Sequence, residues 1–163
     1  MRSDYIINTP VPKENTAVFI GSNNCTGIDT EHLKAVIIQY ISKGVTLFLS
    51  GGMGGFDRLC AGMVHRLKDT YPHIKSCLVL PYLDFKIFDN TLFDCTDFPE
   101  CLESVPYHAR IIRRNRYMAD CSAYAICYLH SSFGGAAKTR CYAEKKQLII
   151  TDVKKLSKDR PST

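Results

Sequence analysis

Three stretches place glycine and small polar residues directly after short apolar runs: Gly21-Ser22-Asn23-Asn24, Gly51-Gly52-Met53-Gly54-Gly55 and Ser131-Ser132-Phe133-Gly134-Gly135. Glycine lets main-chain N–H groups approach an anion closely, and a helix beginning at such a loop adds partial positive charge. The chemistry on offer is recognition of a phosphate-bearing ligand rather than bond cleavage. Neither standard phosphate signature is complete, because no Gly-Lys-Ser/Thr follows a glycine-rich loop and the Gly52 to Asp57 segment lacks the third glycine of a dinucleotide fingerprint. Asp57 sits early in the helix expected after the second loop. It could act as a proton donor or acceptor, bind ribose hydroxyls, or simply complement the helix dipole.

A second candidate group is basic. Arg110, Arg113, Arg114 and Arg116 fall within one short segment, with Asn115 between them. On a helix, Arg113, Arg116, Tyr117 and Asp120 share one side, while Ile111, Ile112, Met118 and Ala119 are expected to face the core. An exposed Arg116–Asp120 pair would account for part of this charge at little energetic gain. Arg114 and Asn115 are the candidates for a guanidinium fork and a directional hydrogen bond to an anion.

Elements that could position these groups alternate along the chain. Strands are expected at residues 16–20, 45–49, 74–80, 123–129 and 148–151, with helices between them, which is the pattern of βαβ units around a parallel sheet. The helix after the first strand is capped by Asp29 or Thr30, carries Leu33, Val36, Ile37, Tyr40 and Ile41 on one face, and is closed by Gly44. The helix carrying the arginines should run from residue 108 to about 120. Residues 82–107 break the rhythm and read as an insertion with one short strand near 91–93. The expected architecture is α/β, a Rossmann-like three-layer sandwich of about five parallel strands in the order 3-2-1-4-5. Its switch point lies between the first and fourth strands, flanked by the loops after Ile20 and Leu129.

Composition narrows the function classes. With 45% hydrophobic and 23% charged residues the chain reads as an ordinary globular protein. Its expected organisation is an extension at 1–15, one domain at 16–152 and a basic tail at 153–163. No apolar run reaches the length of a membrane span, and residues 1–16 lack the pattern of a cleaved leader, so a cytoplasmic setting is expected. Eight cysteines occur without any Cys-x-x-Cys spacing, and Cys60, Cys77, Cys121, Cys127 and Cys141 lie in apolar patterns, so reduced buried thiols are expected rather than disulfides or a metal framework. The histidines and the acidic residues of the insertion show no metal-ligand spacing. Net charge is +5, much of it from Lys154, Lys155, Lys158 and Arg160, which reads as a solvated tail.

Two motifs are more specific than any glycine pair. Arg114-Asn115-x-x-Met118-x-Asp120, and His130-Ser131-Ser132-Phe133-Gly134-Gly135-Ala136-Ala137-Lys138-Thr139 followed by Tyr142-Ala143, together with Gly51-Gly52-x-x-Gly55-x-Asp57, resemble the SLOG superfamily. Within it the bacterial YpsA-like branch, catalogued as of unknown function, is the most similar. The resemblance spans about residues 16–152 and implies a Rossmann-like fold that binds nucleotides or nucleotide-derived ligands, including relatives that sense NAD-derived signals. Many members of this branch carry Gly-His-Arg after the first strand, whereas this chain has Gly21-Ser22-Asn23. The related phosphoribohydrolases use a glutamate in a Pro-Gly-Gly-x-Gly-Thr-x-x-Glu motif. Aligned on Gly134-Gly135 that glutamate position holds Cys141, and aligned on the 51–55 loop it holds Arg58, which disfavours the hydrolase reaction.

The leading expectation is therefore binding, without turnover, of a nucleotide-derived small molecule such as an ADP-ribose or NAD-related compound. Gly21, Ser22 and Asn23 would approach one phosphate or ribose, and Gly51, Gly52, Gly54, Gly55 and Asp57 the other end. Arg114 and Asn115 would meet the anionic middle, and Ser131, Gly134, Gly135 and Thr139 would contribute around a helix terminus. No separate cofactor and no metal are expected. The alternative is a nucleotide or N-glycosidic hydrolase using Asp57. A second alternative is single-stranded DNA binding, as the SMF DNA-processing proteins share the fold, although nucleic acid and membrane are not the expected partners. Self-association through an apolar helix face is compatible with the fold, with no face assigned.

Overall fold

The computed structural model describes residues 11–87 and 89–157. Six strands form one sheet: β1 (Thr16–Gly21), β2 (Leu47–Ser50), β3 (Lys75–Val79), β4 (Cys95–Asp97), β5 (Tyr124–Tyr128) and β6 (Ile149–Asp152). Their order is β4-β3-β2-β1-β5-β6, and every pairing is parallel. This is the expected 3-2-1-4-5 winding with one further strand on its edge. The four helices are α1 (Thr30–Ser42), α2 (Gly55–Leu67), α3 (Arg110–Asp120) and α4 (Gly135–Lys145).

β1 shows why the sheet is covered on both faces. Successive side chains point to opposite sides of a strand, and here neither side reaches water. Ala17 and Phe19 join a core with Leu33, Ile37, Phe56 and Val64 of α1 and α2, whereas Val18 and Ile20 join Met118, Ala119 and Ala143 of α3 and α4. Asp29 caps α1 by accepting from the His32 N–H at 3.1 Å, and Gly44 ends that segment at a φ of 102°.

The short strand of the insertion lies later than expected. Residues 90–92 form a 3-10 turn, because the Asp89 carboxylate accepts from the Thr91 N–H and hydroxyl and draws the backbone out of extension. β4 follows and is tied to β3 by Asp94, whose carboxylate accepts from the Ser76 N–H at 2.8 Å and pairs with Lys68. Further 3-10 turns follow at Glu100–Leu102 and Tyr107–Ala109, the latter directly before α3, so the α-helix proper begins at Arg110.

Where it is described, the segment after β6 is held through its backbone while residues 154–157 are exposed. Val153 is buried, the Asp29 N–H donates to the Lys154 carbonyl, and Lys155 forms an antiparallel bridge with Ile28. The rest of the basic tail, 158–163, and residues 1–10 of the N-terminal extension lie outside the described residues. All eight cysteines are free; Cys60, Cys77 and Cys127 are buried as expected, whereas Cys121 is half-buried and Cys141 is exposed because it sits on the outer side of α4. No helix among the described residues is long and apolar enough to cross a membrane. No group of histidine, cysteine or acidic residues among them could hold a metal ion.

Candidate functional site

The carboxyl end of β1, the loop after β2, α3 and the start of α4 enclose one cleft of ≈ 200 Å³. Gly21, Asn23, Gly51, Gly54, Asp57, Arg114, Asn115, Gly135 and Thr139 line it, as do Met53, Ile111 and Ala136, which the sequence patterns did not single out. Ser22, Gly52, Gly55 and Gly134 are next to these residues in sequence but are not part of the wall, and neither is Ser131, four positions before Gly135.

Arg114 is the largest fully buried side chain, only 2% exposed. It leaves α3 and reaches beneath the 51–55 loop. Nη1 donates to the Gly51 carbonyl at 3.0 Å and to the Val79 carbonyl at 2.7 Å, and Nε donates to Asn115 Oδ1 at 2.9 Å. One guanidinium thus ties together the ends of β2, β3 and α3. Nη2 meets only the thioether of Met53, at 3.1 Å. No carboxylate among the described residues lies within salt-bridge distance. Burial lowers the pKa of Arg114 to about 10, while the charge of Asp57 partly opposes that shift. The group still carries its positive charge at neutral pH.

The 51–55 loop holds an anion of its own. Asp57 Oδ2 accepts from the Met53 N–H at 3.1 Å, and the Gly54 N–H and Ser50 side chain lie near enough to favour the charged carboxylate. Burial raises the Asp57 pKa above the usual carboxylate range, against the pull of these donors and of Arg114. Other amides of the loop are also occupied: the Gly52 N–H approaches Ser50 Oγ at 3.3 Å, and the Gly55 N–H donates to the Asn23 carbonyl at 3.0 Å. A Cβ on Gly55 would lie 2.4 Å from that carbonyl oxygen, and one on Gly21 would lie 2.0 Å from the ring of Phe56. Several of these glycines are needed for loop-on-loop and loop-on-helix packing.

The 131–135 loop differs. Gly134 has a φ of 94° and begins α4, whose first turn contains no acidic residue and whose N-terminus has no side-chain cap. A Cβ on Gly134 or Gly135 would meet nothing within 4 Å. Thr139 donates to the Gly135 carbonyl at 2.9 Å, so its hydroxyl is turned back into the helix. Ser131 closes a local turn with Phe133, and Ser22 accepts from the His130 N–H at 3.1 Å, so both hydroxyls serve the loops. Asp120 accepts from the Tyr142 hydroxyl at 2.8 Å, and Arg116 lies over the Tyr142 ring, in place of the expected Arg116–Asp120 pair.

A parallel, doubly wound sheet with a cleft at its switch point and an open helix N-terminus beside it defines a Rossmann-like ligand-binding fold. Comparison with known proteins then identifies the chain more narrowly. The profile of the YspA SLOG family matches residues 17–149, and the chain belongs to that family. It is 27% identical over 139 residues to the SPbeta prophage-derived protein YoqJ of Bacillus subtilis (strain 168), covering 72% of this chain and 81% of YoqJ. It is 25% identical to a UPF0398 protein of Lacticaseibacillus casei (strain BL23), covering 65% of this chain and 61% of that protein. Two solved structures share the fold at a TM-score of 0.60: DNA processing protein A from Helicobacter pylori, at 17% identity, and its namesake from Streptococcus pneumoniae, at 16%. This chain spans 65% and 53% of those two structures and is itself covered to 86% and 90%.

Proposed function

We propose that residues 16–152 bind a nucleotide-derived, phosphate-bearing small molecule as a sensor or scaffold, with its anionic group at the N-terminus of α4. The observation carrying this reading is the open end of that helix at Gly135, sharing a cleft with a buried guanidinium that has no carboxylate partner. A helix N-terminus and a cation without an ion-pair contact both favour negative charge, and low local dielectric strengthens the attraction. Arg114 contributes its field and its Nη2 edge, from which the exposed thioether of Met53 can withdraw. Asn115 is fixed by the Arg114 Nε–H and sets the direction of that edge.

The cleft is smaller than the roughly 300–1,000 Å³ of typical ligand sites. It suits a sugar phosphate, with the remainder of an ADP-ribose or NAD-related molecule lying over the rim. Free thiols and bacterial relatives fit a bacterial cytoplasm. A hydrolase reaction through Asp57 has less support, because the loop's own amides already engage that carboxylate.

A thermal-shift screen against nucleoside monophosphates, ADP-ribose and NAD tests the reading. A ligand at 100 times its dissociation constant should add about 2.7 kcal/mol to folding stability. No shift with any phosphate-bearing compound would reject it. The second reading, single-stranded nucleic acid, is favoured by the shared fold with a protein whose structure is described in terms of single-stranded DNA binding. That reading requires affinity that falls steeply with salt.

A further inference from the structure

The cleft accounts for the anionic end of a nucleotide but leaves its base unplaced, and one feature of the insertion fits that role. Tyr82 and Tyr107 stack with ring centroids 4.1 Å apart and planes 13° from parallel. Each follows a proline, Pro81 and Pro106, which limits the backbone freedom of both rings. Arg110 holds the turn beneath them by donating from Nε to the Val105 carbonyl at 2.9 Å. Tyr107 is nevertheless 64% exposed. One aromatic plane is thus supported from behind and open in front.

The pair also lies near the buried guanidinium of the cleft. Tyr107 is seven positions before Arg114, through a 3-10 turn and the first turn of α3, roughly 12 Å along the axis at about 2.0 Å per 3-10 residue and 1.5 Å per α-helical residue. The Arg114 side chain leans back toward the helix start, which shortens the gap. The Tyr82 hydroxyl is near enough to influence the charge of Arg114. Measured from Arg114, which shares the cleft with the start of α4, that span is comparable with a mononucleotide measured from its phosphate to the far edge of its base. Phe133, in the 131–135 loop, is 84% exposed and stacks on no other ring among the described residues, so it lacks the same support.

We propose that the open face of Tyr107, backed by Tyr82, is the platform on which the base of the bound nucleotide stacks. This rests on the reading of the cleft as a phosphate site. Stacking tolerates any base, since each has a π-face, so the platform sets length and aromaticity rather than base identity.

Calorimetric titration of the whole chain with AMP and with ribose 5-phosphate, which lacks a base, separates the two ideas. Tyr107→Ala should weaken AMP by about 5- to 150-fold, the range alanine substitution gives per stacked base. It should leave ribose 5-phosphate unchanged, and Tyr107→Phe should restore AMP binding. The chain contains no tryptophan, so Tyr107→Trp adds a unique fluorophore that AMP should quench and ribose 5-phosphate should not. Equal AMP affinity in wild type and Tyr107→Ala would overturn the platform while leaving the phosphate site intact. An equal loss of both ligands would assign Tyr107 a structural role and overturn it too. Failure of wild type to bind either ligand would overturn the mononucleotide platform, and only the absence of a shift with every phosphate-bearing compound of the wider screen would reject the underlying reading. Tyr107-dependent binding seen only with oligonucleotides would overturn the mononucleotide in favour of a nucleic-acid strand.

Discussion

The 51–55 and 131–135 loops both carry adjacent glycines at the same rim of the sheet, yet they are built for different ends. The first is filled: Asp57 occupies its amides, Asn23 packs against Gly55, and Arg114 grips its carbonyl. The second is vacant around Gly134 and Gly135, and the helix it begins has no cap. Glycine in the first loop permits close packing of protein on protein. In the second it leaves the start of α4 uncapped and uncrowded. Similar sequence therefore serves the scaffold in one place and, on the proposed reading, recognition in the other.

The largest effect that could break this contrast is expected at Arg114. Arg114→Ala should cost about 3–5 kcal/mol of folding stability, as removal of one member of a buried charged network does, because two buried carbonyls lose their donor. A urea-denaturation midpoint indistinguishable from wild type would refute the clamp. Arg114→Lys should recover only part of the loss, since an ammonium cannot reproduce the planar fork.

Smaller but more selective effects are expected at the glycines. Gly55→Ala should destabilise by about 1–3 kcal/mol, the usual range for overpacking, because its Cβ meets the Asn23 carbonyl. Gly135→Ala should leave stability within about 0.5 kcal/mol of wild type, like other substitutions that touch nothing. Parallel thermal melts would show the asymmetry, and equal losses at both positions would erase it.

Asp57 sharpens the comparison through pH. Its folded-state pKa is raised, so the folded protein holds the proton more tightly than the unfolded chain. That contribution is fully present below the unfolded pKa of about 3.9 and is lost as pH rises through the folded value. Asp57→Asn should remove this acid-side slope. It should also tighten binding of an anion in the cleft, because a negative charge leaves the wall. Weaker binding by Asp57→Asn would instead give the carboxylate a direct role with the ligand.

Much of the fold could be read from residue order. The apolar runs of β1, β2, β3, β5 and β6, the cap at Asp29 and the turn at Gly44 carry local signals that packing reinforces. β4 has no such signal, being three residues of intermediate burial that pair only because β3 leaves an edge for them. The arginine helix exposed the limit of periodicity. Ile112, expected in the core, is 48% exposed, and Arg114 lies inside. The cause is the need of the Gly51 and Val79 carbonyls for a donor, a demand made by distant segments. For the same reason the sequence could mark glycine loops but could not show whose amides were already engaged.

Whether the N-terminus of α4 receives the anion is decided by Gly135→Asp. The new side chain has space, and a carboxylate in a first helical turn favours the helix, so folding should be unchanged or slightly improved. The same charge would occupy the position proposed for the phosphate. Calorimetry with the nucleotide found by screening should show binding to wild type and at least a tenfold loss in Gly135→Asp at unaltered melting temperature. Undiminished affinity in that variant would contradict the claim and return the anion to another part of the rim.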